Sequence, residues 1–211
     1  MFYMLARIAL RIYFAVYHRV TINGLAELRE FLSSYAAPVI VAANHESYLD
    51  PPLVGMAFPS RLRFVAWDGL FKVPVFASLI RALGAVPVSQ QDKSSAAALL
   101  RQVIGFIEDG SNVLIFPEGE RSPDGNMLPL QGGAALIAAK TGAPIIPVWI
   151  EGTYEAYSMY VLLPRPRKVT LTFGKPIMPD SGGETSEKER RNALLGRLRT
   201  AMEEMGEVYP A

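Results

Sequence analysis

From residue 20 onward, short apolar runs rich in Val and Ile alternate with segments of helical period. That alternation restricts the chain to an α/β fold on a largely parallel sheet. The strand-like runs are Pro38 to Ala43, Leu62 to Trp67, Ala85 to Val88, Asn112 to Phe116, Pro144 to Ile150 and Lys168 to Phe173. Between them, Pro51-Pro52 suits a helix start, Pro74 to Leu83 reads as a helix, and Lys93 to Glu108 runs from an Asp92 N-cap to Gly110 at C′. A further helix follows Gly133, and a last one starts near Ser186 with a capping box to Glu189 and buries Leu194, Leu195, Leu198 and Met202. At 211 residues a single domain is expected. The expected architecture is an α/β domain over residues 35–211, with a mainly parallel or mixed central sheet flanked by helices. An N-terminal amphipathic helical element over residues 1–34 precedes it.

Met1 to Arg19 carries three cations and no acid, and its apolar runs fall far short of the roughly 20 residues a spanning helix needs. No small-residue cleavage site follows, so it does not read as a signal peptide. At about 100° per residue, Arg7, Arg11 and His18 fall in one stripe about 40° wide. Nearly everything else is apolar or aromatic. This pattern predicts a helix lying on a membrane surface, with the arginines reaching phosphates and Phe2, Tyr3, Ile8, Leu10, Ile12 and Phe14 in the acyl layer. A helix buried against the domain or in a dimer fits the same residues.

Composition narrows the chemistry. Hydrophobic residues reach 50%. Charged residues make up only 19%, against roughly 25% in an ordinary soluble domain. With 21 Lys and Arg against 20 Asp and Glu there is no bulk positive field for nucleic acid. The absence of Cys removes thiolate nucleophiles, zinc-thiolate sites and disulfides. Only His18 and His45 can supply imidazole chemistry, which excludes a His-rich metal site.

His45 stands where the first predicted strand ends, in Asn44-His45-Glu46-Ser47-Tyr48-Leu49-Asp50. Sites in open α/β sheets gather at the carboxyl ends of strands. Asp50 is placed to accept the second imidazole N–H, fix the tautomer and stabilise the imidazolium. No G-x-S-x-G elbow accompanies this pair, which leaves the nucleophile to the substrate. A loop His bonded locally for structure would show the same spacing. At the end of another strand, Pro117-Glu118-Gly119-Glu120-Arg121-Ser122 offers an acceptor carboxylate, a close backbone approach at Gly119 and a phosphate-holding cation in Arg121. Alone, that segment also reads as a turn.

Together the two segments resemble the glycerolipid (PlsC-type) acyltransferase family. Asn44 to Asp50 is similar to its N-H-x4-D block and Phe116 to Ser122 to its F-P-E-G-T-R-S block, with Glu120 in place of Thr. Phe64 to Pro87 and Ala143 to Val148 resemble two further blocks. The resemblance implies transfer of an acyl chain from a thioester, on acyl-CoA or acyl carrier protein as co-substrate, to a hydroxyl of a lysolipid or glycerol phosphate. It implies no covalent enzyme intermediate, cofactor or metal. His45 would be the general base and Asp50 its orienting partner, while Asn44, Glu118, Gly119 and Arg121 would serve the acceptor site. Membrane lipids are then partners, with the protein held peripherally on the cytoplasmic face of the cell membrane.

Three neutral residues depart from the family pattern: Trp67 and Gln131 where Lys is usual, and Gln90 where Arg is. A phosphate monoester would lose charge-assisted bonds worth about 1.5–3 kcal/mol each unless Lys72, Arg81 or Arg121 replaces them. A lysolipid with a substituted headgroup, such as lysophosphatidylethanolamine, is therefore an alternative acceptor. An acyl-thioester hydrolase and a non-catalytic membrane lipid-binding protein are readings from other classes.

Overall fold

The computed structural model describes residues 2–72, 77, 80–81, 84–88, 95–180 and 186–208. Its strands are β1 (Thr21–Asn23), β2 (Ile40–Ala43), β3 (Leu62–Trp67), β4 (Ala85–Val88), β5 (Asn112–Ile115), β6 (Ile145–Glu151) and β7 (Thr170–Phe173). They form one seven-stranded sheet in the order β1-β7-β6-β2-β5-β3-β4. Pairing is parallel except between β6 and β7, where Val148 faces Phe173 in antiparallel register, so the sheet is mixed.

The helices are α1 (Phe2–Tyr17), α2 (Leu25–Ser34), α3 (Asp50–Ala57), α4 (Ser95–Glu108), α5 (Gly133–Thr141), α6 (Thr153–Tyr157) and α7 (Glu187–Val208), with a 3-10 turn over Asp68–Lys72. Of the expected helix at Pro74 to Leu83, only Ala77, Ile80 and Arg81 are described, and the expected Asp92 cap lies outside the described residues. The Ser186 capping box forms: Ser186 N–H donates to Glu189 Oε2 at 2.9 Å, and Glu189 N–H to Ser186 Oγ at 3.3 Å. Two elements escape the periodicity reading. β1 is a three-residue edge strand, and α2 starts at a left-handed Gly24 with no side-chain cap.

Strand side chains alternate between faces, and each face has its own core. Val41 and Ala43 of β2 join Phe14, Leu28, Leu53 and Met56 of α1, α2 and α3. Ile40 and Ala42 join Val103, Ile137 and Leu198 of α4, α5 and α7 on the other side. β2 lies between β5 and β6, with Ala42 opposite Ile115 and Pro147. The carboxyl ends of these three strands therefore open side by side.

The N-terminal helix departs from its expected orientation. The Arg7 guanidinium donates to the carbonyls of Met56 at 3.1 Å, Pro59 at 3.2 Å and Phe58, and Arg11 donates to Met56 at 3.4 Å. These carbonyls end α3, where helical acceptors lack backbone partners and cations are favoured. His18 is fully buried, with Nε2 3.1 Å from the Tyr13 hydroxyl, and burial pushes its pKa down. The polar stripe thus faces the protein, and Phe14 is fully buried in the core. Tyr3 and Leu10, also expected in an acyl layer, are partly buried against the same core. Outward stand Met4, Leu5, Ile8, Ile12 and Val16, each roughly half to three-quarters exposed. No described helix is long and apolar enough to cross a membrane.

Candidate active site

The segment from β2 into α3 is braced before it carries any chemistry. Asn44 Nδ2 donates to the Ile150 carbonyl at 2.8 Å and its Oδ1 accepts the Ile150 N–H at 2.7 Å. This buried amide ties the end of β2 to β6. Asn44 therefore positions the loop.

Asp50, fully buried at the first turn of α3, organises the loop around His45. Its Oδ2 accepts from Glu46 N–H and Ser47 N–H at 2.7 Å each and from His45 Nδ1 at 2.8 Å. Its Oδ1 accepts the Thr153 hydroxyl at 2.6 Å. With Nδ1–H held by the carboxylate, the imidazole lone pair lies on Nε2. Phe116 stacks on the ring, with centroids 4.0 Å apart and planes 22° from parallel, and the His45 side chain keeps 17% exposure. A basic nitrogen of fixed tautomer and orientation results.

The loop after β5 closes on the same place. Glu118 Oε1 accepts His45 N–H and its Oε2 accepts Leu128 N–H, both at 2.7 Å. Only 2% exposed, Glu118 fixes the backbone under His45 through both of its oxygens. Burial pushes its pKa up, against the pull of the two N–H donors. Ser122 N–H adds a 2.7 Å bond to the His45 carbonyl. Gly119 has φ 83°, and a Cβ there would only brush Gln131 at 3.6 Å, so conformation and not space demands glycine. Arg121 lies 3.8 Å over the Tyr48 ring, which brings its guanidinium to the His45 loop.

Thus His45, Asp50, Asn44, Glu118, Gly119 and Arg121 converge, with Glu118 and Asn44 as braces. Lys72 is exposed at the end of the 3-10 turn, and no hydrogen bond among the described residues joins it to this cluster. Arg81 lines a concavity of about 380 Å³ with Arg61, Arg63, Gly84 and Asn112, at the amino-terminal ends of β3, β4 and β5. It therefore belongs to the opposite end of the sheet and does not replace the missing cations. Gln131 lies against Gly119. Gln90 and the Trp67 side chain are outside the described residues.

Sequence reasoning passed over Glu46, Phe116 and Thr153. Thr153 comes just after β6, and the strand-end rule that located His45 locates it too. Gly152, with φ 80°, makes the turn, and a Cβ there would run into the Lys168 carbonyl. Glu46 was visible only as a second acid in the His45 segment, beside Asp50.

Residues 19–151 match the family described as Acyltransferase. A 137-residue stretch is 34% identical to a chloroplastic 1-acyl-sn-glycerol-3-phosphate acyltransferase of Brassica napus, covering 65% of this chain and 38% of that protein. Over 192 residues it is 30% identical to a 1-acyl-sn-glycerol-3-phosphate acyltransferase of Chlamydomonas reinhardtii, covering 87% of this chain and 54% of the relative. The chain thus spans about half, or less, of these relatives' length. The crystal structure of the 1-acyl-sn-glycerophosphate acyltransferase PlsC of Thermotoga maritima superposes with a TM-score of 0.73 at 30% identity, covering 96% of this chain and 79% of that one. With the His45 and Glu118 segments joined at one end of the sheet, and with the family match covering residues 19–151, the chain belongs to the acyltransferase family.

Proposed function

We propose that this protein is a lysophospholipid O-acyltransferase of the 1-acyl-sn-glycerol-3-phosphate type. It takes the acyl chain from a thioester, on CoA or acyl carrier protein, in phospholipid synthesis or remodelling. One observation carries the reading: a positioned imidazole to which no described serine or threonine hydroxyl is hydrogen-bonded. The serines of the two loops that meet at His45 are engaged elsewhere, Ser47 Oγ donating to the Tyr157 carbonyl at 2.7 Å and Ser122 Oγ to Asp124 Oδ1 at 3.1 Å. Both are buried. The attacking oxygen then comes from the acceptor. His45 Nε2 takes the hydroxyl proton as that oxygen bonds to the thioester carbonyl carbon, and Asp50 stabilises the imidazolium. The carbon–sulfur bond breaks, the ester forms, and the leaving thiolate takes the proton from Nε2.

Arg121, lying over Tyr48 of the His45 loop, holds an acceptor phosphate oxygen. Gln131 against Gly119 favours a second reading, a lysolipid whose phosphate carries a substituent, because a monoester has more charge to satisfy. The deciding experiment offers acyl-CoA or acyl-acyl carrier protein with lysophosphatidic acid or lysophosphatidylethanolamine, and follows thiol release and acylated lipid. Preference for lysophosphatidic acid supports the first reading, preference for the ethanolamine lipid the second. Thiol release without acylated lipid from either would contradict both.

Membrane attachment follows from the outward row of α1. Tyr160, Leu162 and Leu163 are strongly exposed in the loop beyond α6, and Tyr17 Oη donates to the Pro164 carbonyl at 2.9 Å, which joins that loop to α1. Both enter the acyl layer of the cytoplasmic leaflet, near Arg165 and Arg167. Removing α1 would also remove Phe14 from the core, so charges placed on the outward row make the cleaner test. Ile12→Glu with Val16→Glu is expected to leave the protein folded and shift it from sedimenting phospholipid vesicles to the supernatant. Undiminished sedimentation would exclude this surface.

A further inference from the structure

The proposed chemistry leaves one buried acid unused. Glu46, only 6% exposed, accepts Thr153 N–H and Tyr154 N–H at 3.2 Å each through Oε1. The same oxygen lies 2.9 Å from Thr153 Oγ1, which lies 2.6 Å from Asp50 Oδ1. A threonine hydroxyl has one proton. It cannot donate to both carboxyl groups. If both were ionised, one contact would set lone pairs against each other below 3 Å in a buried site. If Glu46 keeps a proton, it can donate to Oγ1 while Oγ1 donates to Asp50, and every contact has a hydrogen.

The donors decide which carboxyl is ionised. Asp50 receives His45 Nδ1–H, two backbone N–H groups and the Thr153 hydroxyl. Glu46 receives two longer backbone bonds. Of the titratable neighbours, Asp50 and Glu155 disfavour a charge on Glu46, His45 is turned to Asp50, and no described Lys or Arg pairs with Glu46. We propose that Glu46 is a positioning residue, held protonated so that Thr153 is committed to Asp50, and that its deprotonation sets the alkaline limit of catalysis. The catalytic half of the proposal rests on the acyl-transfer function; the protonation half does not.

Burial first, then the Asp50 charge, push the Glu46 pKa up to about 8. A carboxyl held above its unfolded value of 4.5 contributes stability that is complete below that value and is lost as pH rises through about 8. Once ionised, Glu46 competes with Asp50 for the Thr153 proton.

The test tracks the side-chain carboxyl carbons of 13C-Glu-labelled protein by NMR across pH 4 to 10, with Glu46→Gln supplying the assignment. One glutamate resonance is expected to titrate near pH 8 and to be missing from the variant. Titration of Glu46 with the ordinary carboxyls would overturn the proposal, whatever the protein acylates. In the activity arm, the Glu46→Gln to wild-type rate ratio is expected to be about tenfold higher at pH 9 than at pH 7, since a group titrating near 8 is about nine-tenths protonated at one and one-tenth at the other. Superimposable profiles would exclude the catalytic role. Thr153→Ser should keep the wild-type profile, while Thr153→Val should lose its alkaline limb; identical profiles for the two would exclude the hydroxyl link.

Discussion

His45→Ala is expected to slow acyl transfer by about 10²- to 10⁴-fold, the usual contribution of a positioned general base. The effect falls on the chemical step. The ring is stacked on Phe116 and its Nδ1 is held by Asp50, which leaves Nε2 as the nitrogen that can take a proton. Asp50→Asn is expected to act in the same direction. Two backbone N–H groups and an imidazole N–H converge on Oδ2, and an amide placed there must either turn its NH₂ toward them or give up the Thr153 hydroxyl bond at Oδ1. Initial rates of thiol release at saturating lysolipid, with circular dichroism to confirm the fold, read both. A His45→Ala protein within a few-fold of wild type would rule out the general base.

Glu118→Gln is expected to cost about 1–3 kcal/mol of stability and to lower activity with it, although the side chain is nearly isosteric. Both carboxylate oxygens accept backbone N–H groups, from His45 and from Leu128. Glutamine has one acceptor, so its NH₂ must face one of those donors whichever way the amide turns. In a site 2% exposed, water does not compensate. Urea unfolding measures the loss. A midpoint shift within error would show that the loop after β5 is not held through this carboxylate.

Most of the sheet is legible in the chain's apolar runs. Buried parallel strands read as continuous apolar stretches, and β3 and β4 begin and end where Leu62 to Trp67 and Ala85 to Val88 do. β1 and α2 are not legible in this way, since a three-residue strand has no period and Gly24 offers no capping side chain. For α1 the helical wheel finds the right stripe and assigns it the wrong side. Angular position says which residues share a face; it does not say that the unpaired carbonyls ending α3 await Arg7.

The site divides in the same way. His45 and Asp50 are close in the chain, across a loop entering a helix, and their contact follows from spacing. Spacing also places Glu118 correctly without revealing that its two oxygens are already occupied by backbone. Thr153 lies 107 residues beyond Glu46 and reaches it only because β6 pairs with β2. Such a link exists in the sheet order, which no local pattern carries.

Everything turns on the acceptor hydroxyl being the nucleophile. The most direct measurement mixes the protein with acyl thioester, quenches at short times with and without lysolipid, and reads released thiol and intact protein mass together. Thiol release that begins only when lysolipid is added, from protein of unchanged mass, is the predicted result. An acylated protein, or a burst of thiol with no acceptor present, would contradict it.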